Sequence, residues 1–241
     1  MLAEPLPELD DLWQSTMNWC PSETVRSRFQ TFYELILQGN QQHNLTRITE
    51  PTDFWEKHLW DSLRGVFPKV TQSNLSAIDI GTGAGFPGIP MAIARPDWEI
   101  TLLDSTRKKV KFLQDTTKAL SLSNVRSIVD RVEQVGRAKG HREIYNLATI
   151  RAVASASVCA EYALPLLKMG GLAVLYRGQW TDDEATALEQ AVTQLGGKVE
   201  DCDRFETPLT HGIRHCLYLR KIEPTPIEFP RAIGIPTQAP L

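Results

Sequence analysis

A chain of 241 residues, 42% of them hydrophobic, is long enough for one large core with a smaller helical addition. Its 26 basic and 29 acidic side chains leave a formal charge of -3, which excludes a polycation that coats nucleic acid indiscriminately; a nucleic-acid partner has to meet a local basic patch. Cys20, Cys159, Cys202 and Cys216 lack C-x-x-C spacing, and with no basic-then-apolar leader and no apolar run of about 18 residues, the expectation is a cytoplasmic protein without structural zinc, disulfide scaffold or membrane span.

The first predicted element is a helix over residues 21–38, where Val25, Phe29, Phe32, Tyr33 and Ile36 form one apolar stripe ended by Gly39-Asn40. Another follows Thr49: Trp55, Leu59 and Leu63 recur at every fourth position, and Gly65 with Pro68 closes it. Residues 1–73 are therefore expected to form a helical region packed on the main domain. From residue 74 to 223 short apolar runs alternate with helical stretches, the mark of a parallel sheet with crossover helices. Strands are predicted at 76–80, 99–103, 125–129, 147–150 and 172–176, with helices beginning near Pro87, Thr106, Arg131 and Ser155 and after Thr181. Two further strands, 198–205 and 214–221, have only a turn over 208–212 between them and should pair as an antiparallel hairpin. The Pro-rich residues 224–241 should run extended over the surface. Five parallel strands followed by an antiparallel pair is the plan of an α/β, class I (Rossmann-like) methyltransferase that uses S-adenosylmethionine, with a mostly parallel seven-stranded sheet; dinucleotide folds continue the βα alternation.

The strongest local signal runs from Asp79 to Gly88 (DIGTGAGFPG), leaving an apolar strand and entering a helix with Pro87 near its first turn. Gly81, Gly83 and Gly85 allow a sharp turn and close approach of a ligand to backbone. Asp79, just ahead of the turn, suits the ammonium of S-adenosylmethionine, and Asp104, ending the second strand, suits a ribose diol. Gly83, Gly85 and Gly88 also spell G-x-G-x-x-G, so a nicotinamide or flavin enzyme stays open as an alternative; the tight turn at Gly81 and the closing hairpin weigh against it. After the third strand, Asp130-Arg131-Val132-Glu133 is either an adenine contact or a helix start with acids at its favourable end.

After the fourth strand stands Arg151-Ala152-Val153-Ala154, without the Asn/Asp-Pro-Pro-aromatic motif of exocyclic-amine enzymes or the nucleophilic Cys of cytosine C5 enzymes. That pattern fits an acceptor ring nitrogen with a free lone pair, which needs in-line positioning and no general base. Arg151 is then a positioning residue, or an ordinary ion pair at a strand end. His58, Asp61 and Ser62 lack a G-x-S-x-G elbow and read as groups for helix packing and polar contacts, and His211 with His215 makes a poor metal site, so no metal is expected. Arg107, Lys108, Lys109 and Lys111 are either a solvated helical face or a phosphate contact.

Taken together, the chain resembles the RsmG (GidB) family of bacterial 16S rRNA guanine-N7 methyltransferases over nearly its whole length. The resemblance is carried by Asn44-Leu45-Thr46, His58 to Leu63, the Asp79 to Pro90 loop, Leu102 to Ser105, Arg131-Val132-Glu133, Arg151 to Ala154, Leu164 to Leu167 with Gly170-Gly171, and the closing Phe229-Pro230-Arg231 with Gly234-Ile235-Pro236. It implies methylation of N7 of one guanine near the decoding centre. It also implies contact of the cofactor with Gly81, Phe86, Val132, Glu133 and Arg151, and a partner that is 16S rRNA or the small ribosomal subunit particle. The sequence leaves the oligomeric state open, with a monomer expected. The chain departs from the family pattern in having Arg177 rather than Lys before Gly178 and a less basic tail around Ala232, Gln238 and Ala239.

Overall fold

The computed structural model describes residues 3–241. Helix α1, Asp10–Met17, buries only Trp13 and Met17, a sparse i, i+4 pair that the periodicity of the sequence did not reveal. Helix α2, Glu23–His43, starts at Ser22, whose hydroxyl accepts from the Val25 N–H, and ends at Asn44 in the left-handed conformation. Helix α3, Pro51–Phe54, runs through a π-helical turn, Trp55–Trp60, into α4, Asp61–Arg64. The wider turn lets two kinds of residue share one segment: Trp55, Leu59 and Trp60 enter the core while Lys57, His58 and Asp61 face a pocket.

The α/β part alternates as expected: β1 Ser76–Ile80, α5 Gly88–Ala94, β2 Glu99–Asp104, α6 Arg107–Ala119, β3 Val125–Val129, α7 Val132–Val135, β4 Tyr145–Arg151, α8 Ala156–Ala163, β5 Leu167–Arg177, α9 Asp182–Gln194, β6 Gly197–Glu206 and β7 Ile213–Lys221. The seven strands lie in the order β3-β2-β1-β4-β5-β7-β6. β1 to β5 are parallel, and β7 inserts antiparallel between β5 and β6, so the hairpin closes the sheet with its second strand inward. Strand β5 starts five residues before the predicted 172, at Leu167, because Tyr145 pairs with Leu167 across a register shift beside the left-handed Gly170.

Two cores flank the sheet. One combines the N-terminal helices with α5 and the sheet face carrying Leu147, Val174, Tyr176 and Tyr218; the other packs α8 and α9 against Ile78, Ala148, Leu175 and Leu217. The order of strands reverses between β1 and β4, and a crevice opens there beyond their carboxyl ends. Residues 224–241 differ from the extended course expected of them: α10, Ile235–Gln238, forms near their end. The physical reason lies outside the segment. The Arg142 guanidinium donates to the carbonyls of Thr225 and Phe229, and Arg137 donates to those of Glu228 and Pro230, which fastens the segment to the molecule.

Candidate active site at the switch point

The turn after β1 is stitched to the end of β2, with the N–H groups of Gly81 and Thr82 donating to the Leu103 carbonyl at 2.8 and 3.1 Å. Gly81 has φ +67°, and a Cβ there would lie 2.6 Å from Cγ2 of Val153, so only glycine keeps both the turn and the space in front of it. At Gly88 a Cβ would meet Leu102 at 2.2 Å, and its N–H instead donates 2.9 Å to Oδ2 of Asp79. Asp79 has no exposed surface; its Oδ1 accepts from the Thr149 hydroxyl at 3.1 Å. Burial pushes its pKa up to about 6, against the pull of these hydrogen bonds.

A cleft of about 180 Å³ opens beside this turn, lined by Gly81, Asp104, Ser105, Asp130, Val132 and Tyr162 among others. Asp104 holds the cleft wall in place: Oδ2 accepts from the Gly83 N–H at 3.1 Å and Oδ1 from the Thr106 N–H at 2.8 Å. Of the residues singled out in the sequence, Gly81, Asp104 and Val132 therefore share this wall, while Gly83 and Gly85 shape the loop at φ +60° and +104°. Asp79 lies beneath the loop. Glu133 lies behind the wall, 1% exposed, accepting from Arg131, the Tyr162 hydroxyl and the Gly234 N–H. Burial acts to raise its pKa, but the Arg131 guanidinium and these N–H groups outweigh it and hold the carboxyl below its ordinary value.

Arg151 turns to the other side of the loop, into a second, open pocket of about 760 Å³ lined by Lys57, His58, Asp61, Arg177 and Arg214 among others, and Phe86 is buried in the core beside it. His58 stacks on Phe86 with centroids 4.1 Å apart and planes 9° from parallel, and the Arg151 guanidinium lies 5.2 Å above the same ring. Arg151 donates to the Lys57 carbonyl at 3.0 Å, to Asp61 at 3.1 Å and to Nδ1 of His58 at 3.3 Å. A guanidinium only donates, so Nδ1 accepts, and the imidazole proton belongs on Nε2, 2.8 Å from the Thr46 hydroxyl oxygen. Burial, with Arg151 beside it, drives the His58 pKa down to about 3, so the ring is neutral at working pH. Asp61 also faces Arg214 at 3.9 Å; burial raises its pKa, opposed by the two arginines. Arg177 pairs with Glu184 at 2.9 Å and donates to the Ala154 carbonyl at 2.8 Å.

His58, Asp61 and Arg214 line this pocket; His58 and Asp61 make the polar contacts expected of them, and the sequence does not single out Arg214. The Asn44-Leu45-Thr46 stretch was the available signal: Asn40 brackets Thr46 through its N–H and carbonyl, and Thr46 holds His58. Arg107, Lys108 and Lys111 line neither pocket. Among the described residues there is no group of three His, Cys, Asp or Glu placed to hold a metal ion, and no helix long and apolar enough to cross a membrane.

Against known proteins, residues 26–215 match the family model described as GidB, rRNA small subunit methyltransferase G. A protein of Trichormus variabilis named ribosomal RNA small subunit methyltransferase G is 59% identical over 98% of both chains. The protein of that name from Nostoc punctiforme is 57% identical, again over 98% of both. Solved structures share the fold at low identity. A 16S rRNA (adenine(1408)-N(1))-methyltransferase from Catenulisporales acidiphilia gives a TM-score of 0.53 at 14% identity over 63% of this chain and 90% of that one. M. jannaschii TYW2 in complex with AdoMet gives 0.51 at 16% identity over 64% and 71%.

Proposed function

The chain belongs to the rRNA small subunit methyltransferase G family, and from that premise we propose that it transfers a methyl group from S-adenosylmethionine to N7 of one guanine in 16S rRNA. It does so in the cytoplasm, as a monomer, on the RNA or on the small ribosomal subunit particle. The residues present fit such a cofactor: the missing Cβ of Gly81 leaves the approach along the turn open, and Asp104 stands at the end of β2 on the same wall. Gly81, Asp104 and Val132 would hold it from the wall, with Asp79, Gly83, Gly85 and Glu133 shaping or bracing that wall and Phe86 and Arg151 backing the loop from its other side. When bound, the cofactor supplies an electrophilic methyl group on a sulfonium.

One observation carries the base-free reading. Both carboxylates lining the neighbouring pocket are committed to arginines, Asp61 to Arg151 and Glu184 to Arg177, and the His58 imidazole is neutral and bonded at both nitrogens. These groups hold their partners in place, and His215, the other histidine lining the pocket, is held by its Nδ1–H donating to the Gly178 carbonyl, which suits an acceptor whose lone pair attacks without losing a proton. Arg151, fixed at three points between cleft and pocket, positions the base, and Arg214, only 3.9 Å from its nearest acid and one-third exposed, offers positive charge to phosphate.

The direct test is transfer of labelled methyl from S-adenosylmethionine to small-subunit particles lacking this modification, followed by mapping of the base. Label at N7 of a single guanine is expected. Cofactor binding without label on particles or naked 16S rRNA would overturn the substrate; label on an exocyclic amine would overturn the base-free chemistry.

A further inference from the structure

The cleft read above as the cofactor site has a wall that comes from far along the chain. Thr237, in α10, lines it together with Gly81, Asp104, Asp130, Val132 and Tyr162. Local bonds close the turn of this four-residue helix but do not place it at the cleft. It is held by two buried acids at the other end of long sequence separations. Glu161, with no exposed side-chain surface, accepts from the backbone N–H of Arg231 at 2.7 Å and from its guanidinium at 2.6 Å. Glu133 accepts from the Gly234 N–H at 3.1 Å, one residue before α10 begins, and from the hydroxyl of Tyr162, itself on the cleft wall, at 3.4 Å. Thr237 in turn donates to the Gly234 carbonyl at 2.9 Å, Pro236 is buried, and Leu241 packs on the core that includes Val132 and Val135.

From this arrangement we infer that Thr237 is a cofactor-contacting residue on the β3 side of the cleft, and that Glu133 is a positioning residue that docks the segment carrying it. The inference rests on the reading of the cleft as an S-adenosylmethionine site. It gives Glu133 a task different from direct ligand contact, since its carboxylate is already shared by Arg131, Tyr162 and Gly234. It also explains why so polar a set of anchors surrounds a segment that contributes little to the core: the anchors define the position of one cleft wall. A bound ligand touching Thr237 stabilises the docked segment, and the docked segment retains the ligand, because coupling between two binding events is reciprocal.

The experiment titrates the full chain with S-adenosylhomocysteine by calorimetry and compares three variants: a chain ending at Ile233, Thr237→Trp and Glu133→Gln. The shortened chain and Thr237→Trp should each lose about tenfold or more in affinity, with Glu133→Gln between them and the full chain. In turnover, Thr237→Trp should raise the KM for S-adenosylmethionine with kcat unchanged, a split that a merely structural defect would not produce. Hydrogen exchange of residues 231–241 in the full chain should slow on saturation with S-adenosylhomocysteine. Unchanged affinity in Thr237→Trp together with unslowed exchange overturns the inference, and both readouts remain decisive if the shortened chain does not fold. Failure of the full chain itself to bind S-adenosylhomocysteine overturns the cofactor reading and takes this inference with it.

Discussion

Burial moves the His58 imidazole down to about 3 and the Asp79 carboxyl up to about 6, so the two groups bias stability in opposite directions as pH falls. Below its ordinary value of 6.5, an unfolded His58 takes a proton that the folded chain refuses, and stability drops with pH. Between about 6 and 3.8 the folded chain holds a proton on Asp79 that the unfolded chain has released, and stability rises as pH falls. The ionised Asp79 thus costs about 3 kcal/mol at neutral pH, a cost that fades toward pH 4. Asp79→Asn, which can still accept from Gly88, should be more stable than wild type at pH 7 and lose that advantage toward pH 4. His58→Gln should do the reverse, gaining about 2 kcal/mol on wild type between pH 7 and pH 5. Urea unfolding at several pH values separates the two, and parallel curves for both variants would contradict the burial argument. Arg151→Lys probes the same cluster through geometry. A single ammonium cannot reach the Lys57 carbonyl, Asp61 and His58 together while covering Phe86. Turnover should fall about 100-fold while S-adenosylhomocysteine affinity stays within about threefold. A large loss of affinity would instead make Arg151 a cofactor ligand.

Between elements, the decisive contact is Glu56, buried in the π-helical turn. Its carboxylate accepts from the N–H groups of Leu209 and Thr210 and from the Thr210 hydroxyl, in the turn between β6 and β7. Burial acts to raise its pKa, yet these donors win and hold it below the usual value. Glu56→Ala leaves the two backbone N–H groups without a partner, the Thr210 hydroxyl keeping that of Thr207, and should cost about 3 kcal/mol. It should also free the turn that precedes Arg214, raising the KM for RNA; a stability loss with an unchanged KM would confine Glu56 to structure. The strands themselves were legible because central parallel strands are continuous apolar runs, and β1 and β2 show it in Ala77, Ile78 and Ile80 and in Ile100, Leu102 and Leu103. The glycine loop was legible because its residues are neighbours in sequence. The second pocket was not, because Arg151 meets Asp61 across 90 residues; nor were the brace from Glu56 to Thr210, across 154, and the anchor from Glu133 to Gly234 behind the first cleft, across 101. Helical periodicity around residues 55–63 accounts for the apolar contacts of that segment and is silent about what its polar face meets.

At the scale of the whole molecule, the helical region and one face of the sheet share a core rather than forming two stacked units. Phe32, Phe54 and His58 from the helices surround Phe86 of the glycine loop, and Trp60 meets Phe205 of β6 edge-on at 5.7 Å. The hydroxyls of Tyr176 and Tyr218, on β5 and β7, donate to the carbonyls of Ser62 and Gly65 at 2.6 and 2.9 Å. Removing the helices would expose that sheet face and strip Arg151 of every hydrogen-bond partner named above, leaving only the Phe86 ring. A chain beginning at residue 74 should therefore fail to fold into an S-adenosylhomocysteine-binding domain, although the expected sequence boundary lies there. The intact chain offers a sharper test, because four of its six tryptophans, Trp13, Trp19, Trp55 and Trp60, lie in the helical region, while every strand lies beyond it. Tryptophan fluorescence mainly follows the helices, and far-UV circular dichroism follows the whole secondary structure. If the shared core governs stability, the two unfolding curves in urea should coincide, with one midpoint and one slope. If the helices form an appended unit, fluorescence should change first, and the sheet should unfold at higher urea with its cofactor affinity intact.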